Sequence, residues 1–415
     1  MTSAAPRPAL LTERMLHEVA ETYGTPIFVY DETAIRAGAR ELRQAFRWSP
    51  GYRNHFAVKA CPTPAILRVL ADEGMGFDCS SLGELVLVSE TVPDAPVFFT
   101  SNNTTDEEYR IASQLNATIN LDKASELERV FDLIGVPERM SIRYTPGRDD
   151  VSQPMGNAII GPPLKSKFGD TRDNVGFALK RMKTAGVREL GLHTMLASNE
   201  LEPEFFERSA RMMRDTAQWL IDVHSVELSF LNLGGGLGVN YSKCDSLPSF
   251  DAVSESVRRE LGRSEVSVVT EFGRRITGPH GILLTRVTHG FVESHDTYLQ
   301  IDTSINNIPG FASDTTNLHH IEVLNRDSMN TRVATLVGSL CTGSDRMFRD
   351  RQVPASTEPG DLVAVHDAGA HARAKAHNYN FRLRAGEVLV SSPIEHRLIR
   401  RSETVDDLLA TIRGL

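Results

Sequence analysis

Residues 54–84 read NHFAVKACPTPAILRVLADEGMGFDCSSLGE. The stretch opens on a short apolar run, His55–Ala60, passes through a segment of helical character and closes on a second short run, Gly76–Cys79. Strand and helix then alternate down to about residue 275. The further strands expected are Val97–Ser101, Ala117–Leu121, Ser141–Tyr144, Glu189–Met195, Phe230–Leu233 and Val266–Glu271. The clearest helix follows Pro203, where Phe206, Ala210, Met213, Ala217 and Leu220 recur at helical spacing and Pro203 is placed to start it. Eight βα units in tandem predict an α/β fold, a (β/α)8 TIM-type barrel with its chemistry at the C-terminal ends of the strands.

Beyond about residue 283 the pattern changes. Tyr298–Ile301, Val333–Val337, Leu362–His366 and Glu387–Val390 are short β-rich runs punctuated by Gly, Pro and Asn. They predict a second, mostly β C-terminal domain, completed by the N-terminal segment through Ile27–Tyr30. The expected division is a barrel over residues 36–282 and a β-domain from residues 1–35 plus 283–415.

Composition narrows the function classes. The 415 residues are 40% apolar and 24% charged, the balance of a globular enzyme. A net charge of −9 argues against a general nucleic-acid binder. Cys61, Cys79, Cys244 and Cys341 are scattered with no C-x-x-C pair, so neither a disulfide framework nor a zinc site is expected. The N-terminal residues lack the apolar core of a signal peptide, and no apolar run reaches membrane-spanning length. A cytoplasmic enzyme is the expectation.

Several polar residues stand where a barrel keeps its site. Lys59 ends the first strand, flanked by apolar residues, and desolvation there is expected to lower its pKa and make it an amine nucleophile. The plain alternative is a lysine that snorkels to solvent. Asp78 ends the second strand, as a helix cap or as a polar support for the site. After the seventh strand, Gly234, Gly235 and Gly236 offer backbone N–H groups to a phosphate at a helix N-terminus, although glycine runs also make plain tight turns. The eighth strand supplies TEFGRR, with Glu271 at its end and Arg274 suited to a phosphate or carboxylate; a Glu–Arg salt bridge is the competing reading.

FAVKA, GFD-x-x-S-x-GE, GLH…S, NLGGG, E-x-GR, GSLC and DAGA, in this order and at these separations, resemble the alanine-racemase-like pyridoxal-phosphate enzymes. The resemblance is strongest to the diaminopimelate decarboxylases and weaker to the ornithine decarboxylases. It runs from YGTPIFVYD at residue 23 to EHRLIRRSET near the end. It implies pyridoxal 5'-phosphate as cofactor, bound covalently by Lys59 and supported by Asp78. Arg143 matches the arginine that approaches the pyridoxal hydroxyl. Ser198 and the Gly234–Gly236 loop match phosphate ligands, with Gly273 in the E-x-GR motif and Arg274 serving phosphate or substrate carboxylate. Glu271 matches the acid paired with the pyridine nitrogen, a partner that makes the ring a strong electron sink and favours decarboxylation over racemisation. Cys341 matches a cysteine that enters the neighbouring subunit's site and supplies a proton, which implies a homodimer with shared active sites. A buried, inert thiol is the alternative for any free cysteine.

Four positions depart from the family. Met195 stands for a ring-stacking histidine, beside a retained His193, and its sulfur can still pack on an aromatic face. His371 replaces the tyrosine of DAGAY, so a phosphate contact there would depend on pH. Thr342 follows the cysteine where diaminopimelate decarboxylases carry glutamate for the substrate's distal ammonium. Residues 304–324, SINNIPGFASDTTNLHHIEVL, lack the arginine and tyrosine used there for the distal carboxylate. The substrate expected is therefore a different amino acid, in specialised metabolism. The alternatives are a genuine meso-diaminopimelate decarboxylase in which Arg346, Arg373 or His319 takes the distal contacts, a racemase or epimerase, and a non-catalytic regulatory homologue. The last would be expected to lose Lys59, Glu271 or Cys341, and none is lost.

Overall fold

Serine and threonine punctuate the helix starts of this chain. Thr12, Ser81, Thr105, Thr171 and Ser249 each cap a helix by accepting a backbone N–H with the side-chain oxygen. The computed structural model describes residues 8–146, 165–241, 247–293, 296–309, 319–327 and 329–414. It divides into two units, Met1–Ile35 with Val239–Ser246 and Ile276–Leu415, and Arg36–Gly238 with Leu247–Arg275.

The first strand laid down, β1 (Ile27–Asp31), belongs to the first of these units. The chain then builds the barrel from β2 (Arg53–Ala57), β3 (Gly76–Cys79), β4 (Val97–Thr100), β5 (Thr118–Leu121), β6 (Arg139–Arg143), β7 (Glu189–His193), β8 (Phe230–Asn232) and β9 (Ser267–Thr270). All neighbours are parallel, and β9 returns to β2 through Arg53↔Val269 and Asn54↔Thr270, which closes the eight-stranded barrel. Side chains fill the interior. Phe98, Phe230 and Val269 form one buried cluster, and the His55 ring sets its edge against Phe98 at 4.6 Å. The barrel is thus a packed core whose strand ends are free to carry chemistry.

Pro203 opens the long helix Pro203–His224 at its first position, as expected. Phe206, Ala210, Met213 and Leu220 face inward, but Thr216 rather than Ala217 fills the intervening turn. Two further expectations need correction. The first strand ends at Ala57, and Lys59 lies in a 3-10 turn, Val58–Ala60, instead of in the strand. Asp78 caps no helix; Ser81 takes that role for Leu82–Thr91.

The unit to which β1 belongs carries a nine-stranded sheet. After β1 it uses β10 (Gly281–Glu293), β11 (Asp296–Ile301), β12 (Ile321–Val323), β13 (Thr331–Val337), β14 (Arg346–Pro354), β15 (Leu362–Val365), β16 (Gly386–Ser392) and β17 (Glu395–Arg400). The N-terminal β1 runs antiparallel to β10 and parallel to β16. Strand alternation points Ile27, Val29, Val388 and Val390 to one face. Met15, Leu16, Val19 and Ala20 of the helix Glu13–Tyr23 join them in one buried cluster with Ile282, Leu284, Leu362 and Ala364. Burial of this face stabilises the unit at about 25 cal/mol per Å² of apolar surface removed from water. Among the described residues, no helix is long and apolar enough to cross a membrane.

Candidate active site

Every barrel strand except β2 ends at or just before a polar side chain. Ala57 is the last residue of β2 in register with Asp78, after which the chain tightens and Cys61 N–H closes on the Val58 carbonyl at 3.1 Å. This turn delivers the Lys59 amine to within 3.4 Å of Asp78 Oδ2, with half of the lysine side chain exposed and the aspartate fully buried. Burial works against charge on Lys59, but Asp78, Glu271 and Glu84 outweigh it and its pKa stands above the ordinary lysine value. The expected lowering by desolvation is therefore reversed, because Asp78, Glu271 and Glu84 favour the charged amine. Burial and the nearby Glu271 carboxylate push the Asp78 carboxyl up to about 8, while Lys59 draws it back.

A second group stands across the barrel mouth. Arg143, at the end of β6, donates from Nη1 to Asp122 Oδ1 at 3.1 Å and from Nε towards His193 Nδ1 at 3.4 Å. Asn120 also faces that ring nitrogen, at 3.0 Å. Arginine can only donate, so Nδ1 is the acceptor and the imidazole proton sits on Nε2. Burial lowers the His193 pKa, which leaves the ring neutral, and Nε2 lies 3.4 Å from Glu271 Oε1.

Glu271 follows β9 directly. Asn54 fixes the backbone on both sides of it, because its Oδ1 accepts from Thr270 Oγ1 and from Phe272 N–H, both at 2.8 Å. Asn232 Nδ2 donates to Glu271 Oε1 at 2.8 Å, and Asn232 Oδ1 accepts the Gly234 N–H at 2.9 Å. Burial raises the Glu271 pKa, but His193, Lys59 and the Asn232 amide prevail and bring it down to about 2. Glu271 is thus a buried, ionised carboxylate held by Asn232 and His193, and the competing pairing with Arg274 is not what forms.

The glycine loop is shaped by its neighbours. Gly234 and Gly236 have φ of +68° and +105°, and a Cβ would stand 2.2 Å from Thr194 O at Gly234 and 2.8 Å from Ala197 O at Gly236. No L side chain fits such an approach. Met195 turns its sulfur to this loop and accepts the Gly235 N–H at 3.3 Å. Sulfur is a weak acceptor, so a phosphate oxygen would displace it readily. The next described helix begins only at Phe250, so the expected placement of this loop at a helix N-terminus is corrected. Ser198 lies in the loop after β7, and Arg274, 5% exposed, opens the short helix Arg274–Thr277. A Cβ on Gly273 would lie 2.8 Å from that of Ala60, so this glycine seats the Lys59 turn.

Cys341, Thr342 and His371 belong to the β-rich unit. The Cys341 thiol is free and exposed, whereas Cys61 and Cys79 are buried; Cys244 lies outside the described residues. Thr342 Oγ1 pairs with Ser344 Oγ at 2.9 Å. His371 has a φ of +56°, uncommon for a side chain of its size. Of the segment 304–324, residues 310–318 lie outside the described residues.

Sequence reasoning overlooked Asn120, Asp122 and Asn232. Each is a buried polar residue at or just past the end of an apolar strand, the same signal that singled out Lys59 and Asp78. The donor set fits pyridoxal phosphate: an amine within reach of an aldehyde, an ionised acid for a ring nitrogen, and a side-chain-free loop for a phosphate. Asp78 Oδ1 and Asp122 Oδ2 are buried without a hydrogen-bond partner, as expected of a site that awaits a polar guest.

Residues 32–278 match the family described as "Pyridoxal-dependent decarboxylase, pyridoxal binding domain". The chain is 35% identical over 401 residues to Protein TabA of Pseudomonas amygdali pv. tabaci, covering 95% of this chain and 92% of the relative. It is 31% identical over 410 residues to the diaminopimelate decarboxylase of Methanothermobacter thermautotrophicus, covering 94% and 92%. The crystal structure of the diaminopimelate decarboxylase from M. jannaschii in complex with L-lysine superposes with a TM-score of 0.87 at 28% identity, over 96% of this chain and 94% of that one.

Proposed function

The chain belongs to the pyridoxal-dependent decarboxylases, of the diaminopimelate decarboxylase type, and on that premise we propose that it decarboxylates an amino acid lacking diaminopimelate's distal charges. Bound pyridoxal phosphate supplies an electron sink for the carbanion left when CO₂ departs. Lys59 would hold it through Nζ, with Asp78 beside the amine. Glu271, ionised and buried, would keep a proton on the ring nitrogen. His193, neutral, orients Glu271 and is itself oriented by Arg143 and Asn120. The Gly234–Gly236 loop, Ser198, Arg274 and His371 would hold the phosphate, and Arg143 would face the ring hydroxyl. Cys341 would deliver the proton that replaces the carboxylate, from one subunit of a homodimer into its partner's site. The M. jannaschii complex with L-lysine supports an amino acid as the class of ligand. A cytoplasmic location is part of this reading.

The observation that carries the substrate claim is Thr342, whose hydroxyl is engaged by the neutral Ser344. The positions that could compensate are engaged elsewhere within the β-rich unit. Arg373 Nε donates to Ala385 O at 2.9 Å, His319 Nδ1 lies 2.6 Å from His366 O, and the Arg346 guanidinium stands 5.7 Å from the Tyr298 ring centroid. Losing one charged hydrogen-bond partner costs about 1.5–3 kcal/mol, or roughly 10- to 150-fold in discrimination. We therefore expect meso-diaminopimelate to be a poor substrate and Thr342→Glu to improve it. The test is kcat/KM for meso-diaminopimelate beside a panel of D- and L-amino acids. Turnover of diaminopimelate by the unmodified enzyme at ~10⁴ M⁻¹s⁻¹ or better would return the protein to diaminopimelate decarboxylation.

The shared site has its own test. Alone, Lys59→Ala and Cys341→Ala protein should each turn over only at a small residual rate. In an equal mixture that exchanges subunits, half the dimers are hybrids with one intact site, so roughly a quarter of wild-type activity should return. No recovery despite proven exchange would place Cys341 outside the partner's site.

A further inference from the structure

Cys341 sits in a loop pinned on either side. Ser339 N–H donates to Ser304 Oγ at 2.8 Å, and Leu340 N–H donates to the buried Asp345 carboxylate at 2.7 Å. Asp345 also accepts the Ile305 N–H at 2.9 Å. These contacts leave the cysteine itself to be fixed from another direction. That contact comes from a separate segment, residues 377–384, where Asn380 Oδ1 accepts the Cys341 N–H at 2.8 Å.

The conformation that presents Asn380 is costly. Asn380 and Phe381 are consecutive non-glycine residues with φ of +55° each. Asparagine tolerates the left-handed region, but a bulky phenylalanine there is an outlier. Such a conformation persists only where its surroundings over-determine it. They do so here. Asn378 Nδ2 donates to Arg382 O at 2.9 Å and to Glu403 Oε2 at 2.7 Å, and Asn306 Nδ2 donates to Leu383 O at 3.2 Å. Arg384 is tied to Glu403, and Arg382 Nη2 reaches back to Ser339 O at 3.3 Å, on the cysteine's own loop. Phe381 gains no burial from the arrangement, being 61% exposed. Among the described residues, the side-chain groups that this turn delivers to the cysteine's loop are the Asn380 carbonyl oxygen and the Arg382 guanidinium.

We propose that Asn380 is a positioning residue for Cys341, acting through the Cys341 backbone N–H to fix where the thiol stands as it delivers its proton. This rests on the reading of Cys341 as the proton donor. Asn380 touches neither substrate nor cofactor in this account; it orients the residue that does.

The experiment uses the holoenzyme and CO₂ release from whichever amino acid of the panel is turned over fastest. Asn380→Ala should lower kcat about 10-fold, the loss of one backbone-directed hydrogen bond, with KM and bound-cofactor absorbance unchanged. Asn380→Asp keeps an acceptor oxygen and should recover most of the rate. Asn380→Gly relieves the backbone but removes the acceptor, and should be as slow as alanine. In a Cys341→Ala background, Asn380→Ala should cost nothing further, because the residue it positions is gone. Wild-type kcat in Asn380→Gly, or losses that multiply in the double variant, would overturn the proposal. Full activity in Cys341→Ala would instead remove the reading of Cys341 on which it rests.

Discussion

Lys59→Ala protein should be colourless after incubation with pyridoxal phosphate, and its turnover should fall by on the order of 10³-fold or more, since a tethered amine in position replaces a bimolecular encounter. The site explains why no other residue substitutes. The Lys59 side chain is half exposed, and its amine stands 3.4 Å from Asp78 at the end of a turn that Gly273 seats against Ala60. The carboxylates of Asp78, Glu271 and Glu84 hold it charged in the free protein, so a proton must leave it as the cofactor is captured. Absorbance titration with pyridoxal phosphate beside CO₂ release checks this. A variant that stays yellow and active would take Lys59 out of the mechanism.

Glu271→Gln should keep its cofactor and lose on the order of 10²-fold or more in kcat, because the ring nitrogen loses its charged partner. The replacement is isosteric, and its amide oxygen can still accept from Asn232, so folding is little disturbed. Because the wild-type carboxyl is held down at about 2, it stays ionised across the neutral range. Wild-type kcat should accordingly show no acid limb from this group above about pH 4. Undiminished kcat in the glutamine variant would show that the ring needs no charge there.

Much of this architecture is legible in the sequence, and the failures have physical causes. The barrel is legible because short apolar runs recur between amphipathic helices. Lys59 was misplaced within its own motif. Val58 and Ala60 are as buried as the strand before them, so hydrophobicity gives no sign that the ladder stops at Ala57. The sign of its pKa shift was invisible for a different reason: the charges that set it arrive from β3 and β9 only when the barrel closes. Asn120 and Asp122 stand at the end of an apolar strand but in no motif, so spacing alone does not mark them. Asn232 stands within NLGGG, where the glycines carry the visible signal. Its link between Glu271 and Gly234 depends on side-chain geometry that spacing does not encode.

The central claim, that the chain removes CO₂ from an amino acid and returns a proton to the same carbon, is open to one direct measurement. The holoenzyme is incubated in D₂O with the amino-acid panel, and products are analysed by mass spectrometry and chiral separation together with the CO₂ evolved. The account predicts CO₂ and amine product in equal amounts, the product carrying one deuterium at the former α-carbon, with both signals absent from Lys59→Ala protein. Recovery of the amino acid with its carboxylate intact, deuterated and inverted at the α-carbon, with no CO₂, would contradict it.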